Sequence, residues 1–112
     1  MAESSLSLKK SEKGGYVIIS AEGRIDAETA PQLSEALQEQ ITKGNVKMIL
    51  DLAGVDFMSS AGIGTTVKVL NEVRGKQGDL RLAGVKPDVK KVYELLGFAS
   101  AFQFFNSVEE AL

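Results

Sequence analysis

Apolar positions along the chain change period several times, and each change marks an element. In SLSLKKSEKGGYVIISAEG, Leu6 and Leu8 alternate with polar residues, as in a half-buried strand. Gly14-Gly15 supplies a turn, and YVIISAEG is a more buried strand rich in β-branched residues. In RIDAETAPQLSEALQEQITKGN the period becomes helical. Ala30, Leu33, Leu37 and Ile41 share one face, Asp26 or Thr29 can cap the start, Thr29 with Gln32 fits a capping box, and Gly44 closes the helix. VKMILDLAG reads as a central strand. SAGIGTTVKVLNEVRGKQG reads as a second helix with Ile63, Val67 and Leu70 as its buried stripe. LRLAG is a strand. KPDVKKVYELLG is a helix with Val89, Val92, Tyr93 and Leu96 inward, AFQFF a short strand, and NSVEEAL a last turn with Ser107 and Glu110 as a capping box.

The order is β-β-α-β-α-β-α-β-α. Strand-helix alternation after the first hairpin implies a largely parallel sheet, with the hairpin adding an antiparallel edge. The expectation is one α/β domain over residues 1–112, with a mixed sheet of about five strands and about four helices. Sites in such folds gather at the carboxyl ends of strands. The stretch FMSSAGIG (57–64) falls there, between the central strand and the second helix.

Composition narrows the chemistry. The 112 residues include 44% hydrophobic ones, enough for a core without a staple. Cysteine and histidine are both absent. That excludes disulfides, thiolate zinc and thiol redox chemistry, and any Ser-His-Asp or Cys-His machinery within the chain. No Asp-rich calcium loop is seen, so no metal and no cofactor is expected. The net charge is −2, with 25% charged residues of both signs, which is no nucleic-acid footprint. No run is long enough for a membrane span, and MAESSLSLKK lacks signal-peptide character, so a cytoplasmic protein is expected.

Four roles are open to the serines of FMSSAGIG. A serine here can be a helix N-cap. A phosphate cradle fits the helix start, but no Gly-Lys-Ser/Thr follows and Val67 stands where a third dinucleotide-motif glycine belongs. An esterase nucleophile lacks both Gly-x-Ser-x-Gly and a histidine base. A serine phosphorylated by another enzyme suits a helix start, because the helix dipole favours the added charge. Gly62 and Gly64 weaken a helix by about 1 kcal/mol each. Something must therefore approach the backbone, or a packed neighbour must need the room.

The segments AEGRIDAETAPQL, MILDLAGVDFMSSAGIG and LAGVKPDVKKVYELLGFASAFQFF resemble the STAS-domain anti-sigma factor antagonists of bacterial partner-switching systems, over nearly the whole chain. The resemblance implies a non-enzymatic switch. Unphosphorylated, it would bind an anti-sigma factor that is a serine kinase. Phosphorylation would switch binding off, and a metal-dependent serine phosphatase would reset it. The family acceptor position matches Ser60, preferred over Ser59 because Ser60 keeps the spacing to Gly62 and Gly64. Ser59 stands where the family usually has Asp. Asp26 matches the family aspartate near the acceptor. Asp26, Met58, Ser59, Ser60, Ala61 and Ile63 would form the partner-binding patch. The alternatives are a phosphorylation-independent STAS interaction module of a sensor complex or lipid-transport system, and, ranked last, a small nucleotide-binding or hydrolytic protein.

Overall fold

The computed structural model describes residues 5–112; the absence of a leader, expected from the first ten residues, concerns in part residues outside that range. Leu6–Lys13 forms β1 and Tyr16–Ile25 forms β2, paired antiparallel. Gly14 and Gly15 between them have φ of 60° and 84°. Two consecutive positive φ values define the tight hairpin turn that glycine adopts without a Cβ clash. There follow α1 (Ala30–Thr42), β3 (Lys47–Met58), α2 (Ser60–Arg74), β4 (Asp79–Ala83), α3 (Pro87–Leu95), a 3-10 turn (Ala99–Ala101), β5 (Phe104–Phe105) and α4 (Val108–Ala111). One five-stranded sheet runs in the order β1-β2-β3-β4-β5, and every pair after the first is parallel. The element order and mixed sheet expected from the sequence are found.

Strand alternation divides the apolar residues between two faces. Val17, Ile19, Ala21, Met48, Leu50, Leu52, Leu80 and Leu82 join residues of α1, α2 and α3 in the main core. Ile18, Ile49 and Ala83 point the other way and pack with Ala111 of α4. Covering both faces at this end explains why β2 and β3 read as near-continuous apolar runs. Arg81 ties α4 down. Its guanidinium lies 4.9 Å from the Tyr16 ring and 5.6 Å from the Phe105 ring, and it donates to the Ala111 carbonyl.

Several local expectations change. Thr29 is already helical (φ −98°, ψ −17°), so its hydroxyl cannot cap α1. It accepts instead from the Asp26 amide at 2.9 Å and donates to the Arg24 carbonyl at 2.8 Å. The Asp26 carboxylate takes the Glu28 and Thr29 amides, at 3.0 and 3.2 Å. Gln32 leaves the expected capping box and donates to the Leu6 carbonyl at 2.9 Å. In α2, Val67 is half-buried, while Val69 and Val73 complete the stripe with Ile63 and Leu70. Leu96 lies past the end of α3 and is 43% exposed, so it leaves that stripe. AFQFF is strand only at Phe104–Phe105, because Phe102 turns inward onto Tyr93 with ring centroids 5.2 Å apart. Ser107 does accept from the Glu110 amide, at 3.2 Å.

Tyr93 and Thr66 join α3 to α2 in the core. Their hydroxyls are 2.8 Å apart, and the Thr66 hydroxyl also lies 2.7 Å from the Ile63 carbonyl. Thr66 has one proton and gives it to that carbonyl, so Tyr93 donates to Thr66. Burial pushes the Tyr93 phenol well above its ordinary value, and the Thr66 bond offsets this only partly. Thr66→Val is expected to cost about 1–3 kcal/mol in urea unfolding, because it strands a buried phenol. In the unfolded chain that phenol ionises near pH 10, and in the folded chain only well above it. Its contribution is therefore whole below that pH and falls as pH rises beyond it, by at most about 1.4 kcal/mol per unit. Tyr93→Phe should remove this alkaline slope from the urea midpoints.

Candidate functional site

β3 reaches the carboxyl edge of the sheet at Met58, paired with Ile25 of β2. The next amide, Ser59, donates to the Ile25 carbonyl at 2.8 Å, so sheet pairing runs right up to α2. Ser59 is extended (φ −85°, ψ 173°) and occupies the N-cap position, and its carbonyl accepts the Ile63 amide at 3.0 Å. Its side chain makes no cap bond, and its hydroxyl oxygen is buried without a described partner. Ser60, the first residue of α2, is exposed. The two adjacent serines therefore differ in access: Ser60 is an exposed residue, whereas Ser59 is half-buried with its hydroxyl oxygen out of solvent.

The sequence patch divides in the same way. Ser60 and Ala61 are exposed, and Asp26 lies half-buried at the end of the neighbouring strand, fixed by the Glu28 and Thr29 amides. Met58 and Ile63 are 1% and 0% exposed. As members of the core they support the loop from beneath and cannot serve as contact residues. The reason is local: register shifts against β2 interrupt the alternation of β3, so that Val55 and Met58, three residues apart, both join the core, and Ile63 begins the buried stripe of α2. The glycines also differ. A Cβ on Gly62 would meet the Ile25 Cγ2 at 2.5 Å and the Met58 Cγ at 3.1 Å, whereas one on Gly64 would meet nothing within 4 Å. Gly62 is thus there for close helix–strand packing, the second of the two reasons considered from sequence.

Phe57 and Arg24 were missed in the sequence reading. Phe57 is 40% exposed, and the Arg24 guanidinium carbon lies 4.3 Å from its ring centroid. Neighbouring strand residues point to opposite faces, so the register shift that leaves Met58 inward turns Phe57 outward. Asp56 is paired with Lys86 of the β4–α3 loop, and that ammonium holds its carboxyl below the ordinary value. Surface depressions of about 390, 220 and 230 Å³ are lined by other residues, so none of the three is built around Ser59 or Ser60. Among the described residues no group of three or more acidic ligands is placed to hold a metal, and no helix is long and apolar enough to cross a membrane.

Ser59 offers a direct test of its own state. An N-cap serine lost to alanine usually costs about 1 kcal/mol. Here the hydroxyl is buried and unpartnered, so Ser59→Ala should leave stability unchanged or raise it by up to about 1 kcal/mol. Urea unfolding decides, and a loss near 1 kcal/mol would show that the hydroxyl caps α2 in solution.

A five-stranded mixed sheet with an exposed serine opening the helix after its central strand defines a class of small α/β domain. Residues 7–111 match the model of the STAS domain. The chain is 38% identical over 97 residues to BtrV of Bordetella bronchiseptica, provisionally named an anti-sigma factor antagonist, covering 87% of this chain and 84% of that one. An anti-sigma factor antagonist structure from Mycobacterium paratuberculosis superposes with a TM-score of 0.89 at 23% identity, covering 98% and 93% of the two chains. Bacillus SpoIIAA in its phosphorylated form superposes at 0.74 with 21% identity, covering 94% and 96%. The chain belongs to the STAS-domain family, on the branch of the anti-sigma factor antagonists.

Proposed function

We propose that this protein is a phosphorylation-controlled antagonist of an anti-sigma factor. The unmodified form binds a serine-kinase anti-sigma factor in the cytoplasm and so releases that factor's target. The kinase phosphorylates Ser60, binding ceases, and a metal-dependent serine phosphatase restores the hydroxyl. The protein itself performs no catalysis. The observation that carries this reading is the contrast in access, with Ser60 an exposed residue at the start of α2 and the Ser59 oxygen buried beside it. A kinase can reach the first and not the second. The phosphorylated form of SpoIIAA, which this chain resembles in fold, adds support.

The physics suits a local switch. Phosphate brings about −1.5 to −2 charges and lies at a helix start whose dipole favours them, so the fold need not change. The surface offered to the partner becomes anionic and hydrated instead. The reading is tested by incubating the protein with its cognate kinase and ATP and mapping the product by mass spectrometry. One phosphate on Ser60, absent from Ser60→Ala, is expected. Phosphate on Ser59 or outside the loop would overturn the assignment.

A further inference from the structure

The carboxyl edge of the sheet carries an exposed aromatic that the phosphorylation of Ser60 does not use. β2 and β3 slip register between Gly23 and Arg24, so that Gly23 faces Val55 and Arg24 faces Phe57. Asp56 is the extra residue of this bulge. Bulges re-aim side chains, and this one sets Phe57 and Arg24 side by side on the surface. Three contacts hold the arrangement. The guanidinium carbon lies over the ring, 4.3 Å from its centroid, the Arg24 Nε is 3.9 Å from the Asp26 carboxylate, and Asp56 is tied across to Lys86. The Arg24 side chain remains 52% exposed.

A large ring held rigid in water loses little freedom when it is buried by a partner, and aromatic and arginine side chains dominate interface energetics for this reason. The Arg24 Nε faces Asp26, and the side chain is half exposed, so its terminal nitrogens are the donors a partner's carboxylate can take. The position is continuous with the Ser60 loop. Phe57 is three residues before Ser60, and the carbonyl next to Arg24, that of Ile25, holds the Ser59 amide.

Resting on the Ser60 reading, we propose that Phe57 and Arg24 form a preformed docking anchor for the same anti-sigma factor. That partner presents an apolar pocket for the ring and, at its rim, a carboxylate for the terminal nitrogens of Arg24. The anchor supplies affinity and the Ser60 loop supplies control, so the two are separable by mutation.

The test places the photocrosslinker p-benzoylphenylalanine at position 57, at position 61 beside Ser60, and at position 76 on the opposite edge of the sheet, in the cells that make this protein. Adducts from 57 and 61 with one and the same protein, and none from 76, are expected. Adducts from 61 alone, or from 57 with a different protein, would overturn the anchor and leave the Ser60 reading standing; adducts from neither would remove both. With that crosslinked protein purified as the probe, Phe57→Ala should weaken binding about 30-fold and Arg24→Gln about 10-fold. Arg24→Lys should not restore it, since an ammonium lacks the planar, forked guanidinium. Thermal midpoints of the variants should stay near wild type because the pair is exposed. Wild-type affinity in Phe57→Ala would sink the proposal.

Discussion

Ser60→Asp is expected to lower affinity for the anti-sigma factor by about 100-fold while leaving the fold as stable as before or slightly more stable. The two effects have different origins. A carboxylate at the first position of α2 meets the positive end of the helix dipole, which is worth about 0.3–1 kcal/mol to the folded state. The same charge, covered by a partner with no matching cation, must lose its water, and an uncompensated interfacial charge costs about 2–5 kcal/mol. Ser60→Ala removes the hydroxyl without adding charge, so it should bind like wild type and no longer respond to kinase and ATP. Calorimetric titration of the three forms checks the binding, and urea unfolding checks the fold. If Ser60→Asp binds as wild type does, the electrostatic switch is wrong. The protein would then act as an interaction module independent of phosphorylation.

The exposed face of this loop was harder to read from sequence than the fold beneath it. Element type follows from period, and the periods here are clear: Leu33, Leu37 and Ile41 line one helix face, and both sets of alternating residues in β2 and β3 are buried. What sequence could not decide was which of two neighbouring serines is exposed and which buries its hydroxyl. Ser59 continues the sheet through its amide and so turns its side chain inward, a consequence of a bond to Ile25, thirty-odd positions earlier in the chain. The capping roles of Thr29 and Gln32 failed for a similar reason, since both side chains found better partners in Arg24 and Leu6. Phe57 was hidden by composition, because a phenylalanine in an apolar run reads as core unless the alternation is followed through the bulge. Met58 and Ile63 were drawn into the patch by nearness in sequence alone, and one step of strand or helix rotation moves a residue from the surface to the interior.

The two glycines of the loop should respond in opposite directions to the same substitution. Gly64→Ala adds a methyl that meets nothing within 4 Å, so only helix propensity changes, and a gain of about 1 kcal/mol is expected. Gly62→Ala gains the same propensity but drives its methyl to 2.5 Å from the Ile25 Cγ2. That atom is a branch of a side chain with 0% exposure, paired in the strand beside Met58, and has no free space to move into. A contact this short belongs at the upper end of the cost of overpacking, about 2–3 kcal/mol, so after the propensity gain the net change should be a loss of about 1–2 kcal/mol. Thermal midpoints should then move up by about 4 °C for Gly64→Ala and down by a similar or larger amount for Gly62→Ala. Ile25→Leu lacks the offending branch, so the double variant should recover part of the loss, an interaction that a double-mutant cycle measures directly. Equal effects of the two alanines would mean that α2 does not rest on β2 as closely as the Ile25 contact requires. The seat that keeps Ser59 inward and Ser60 outward would then need another cause.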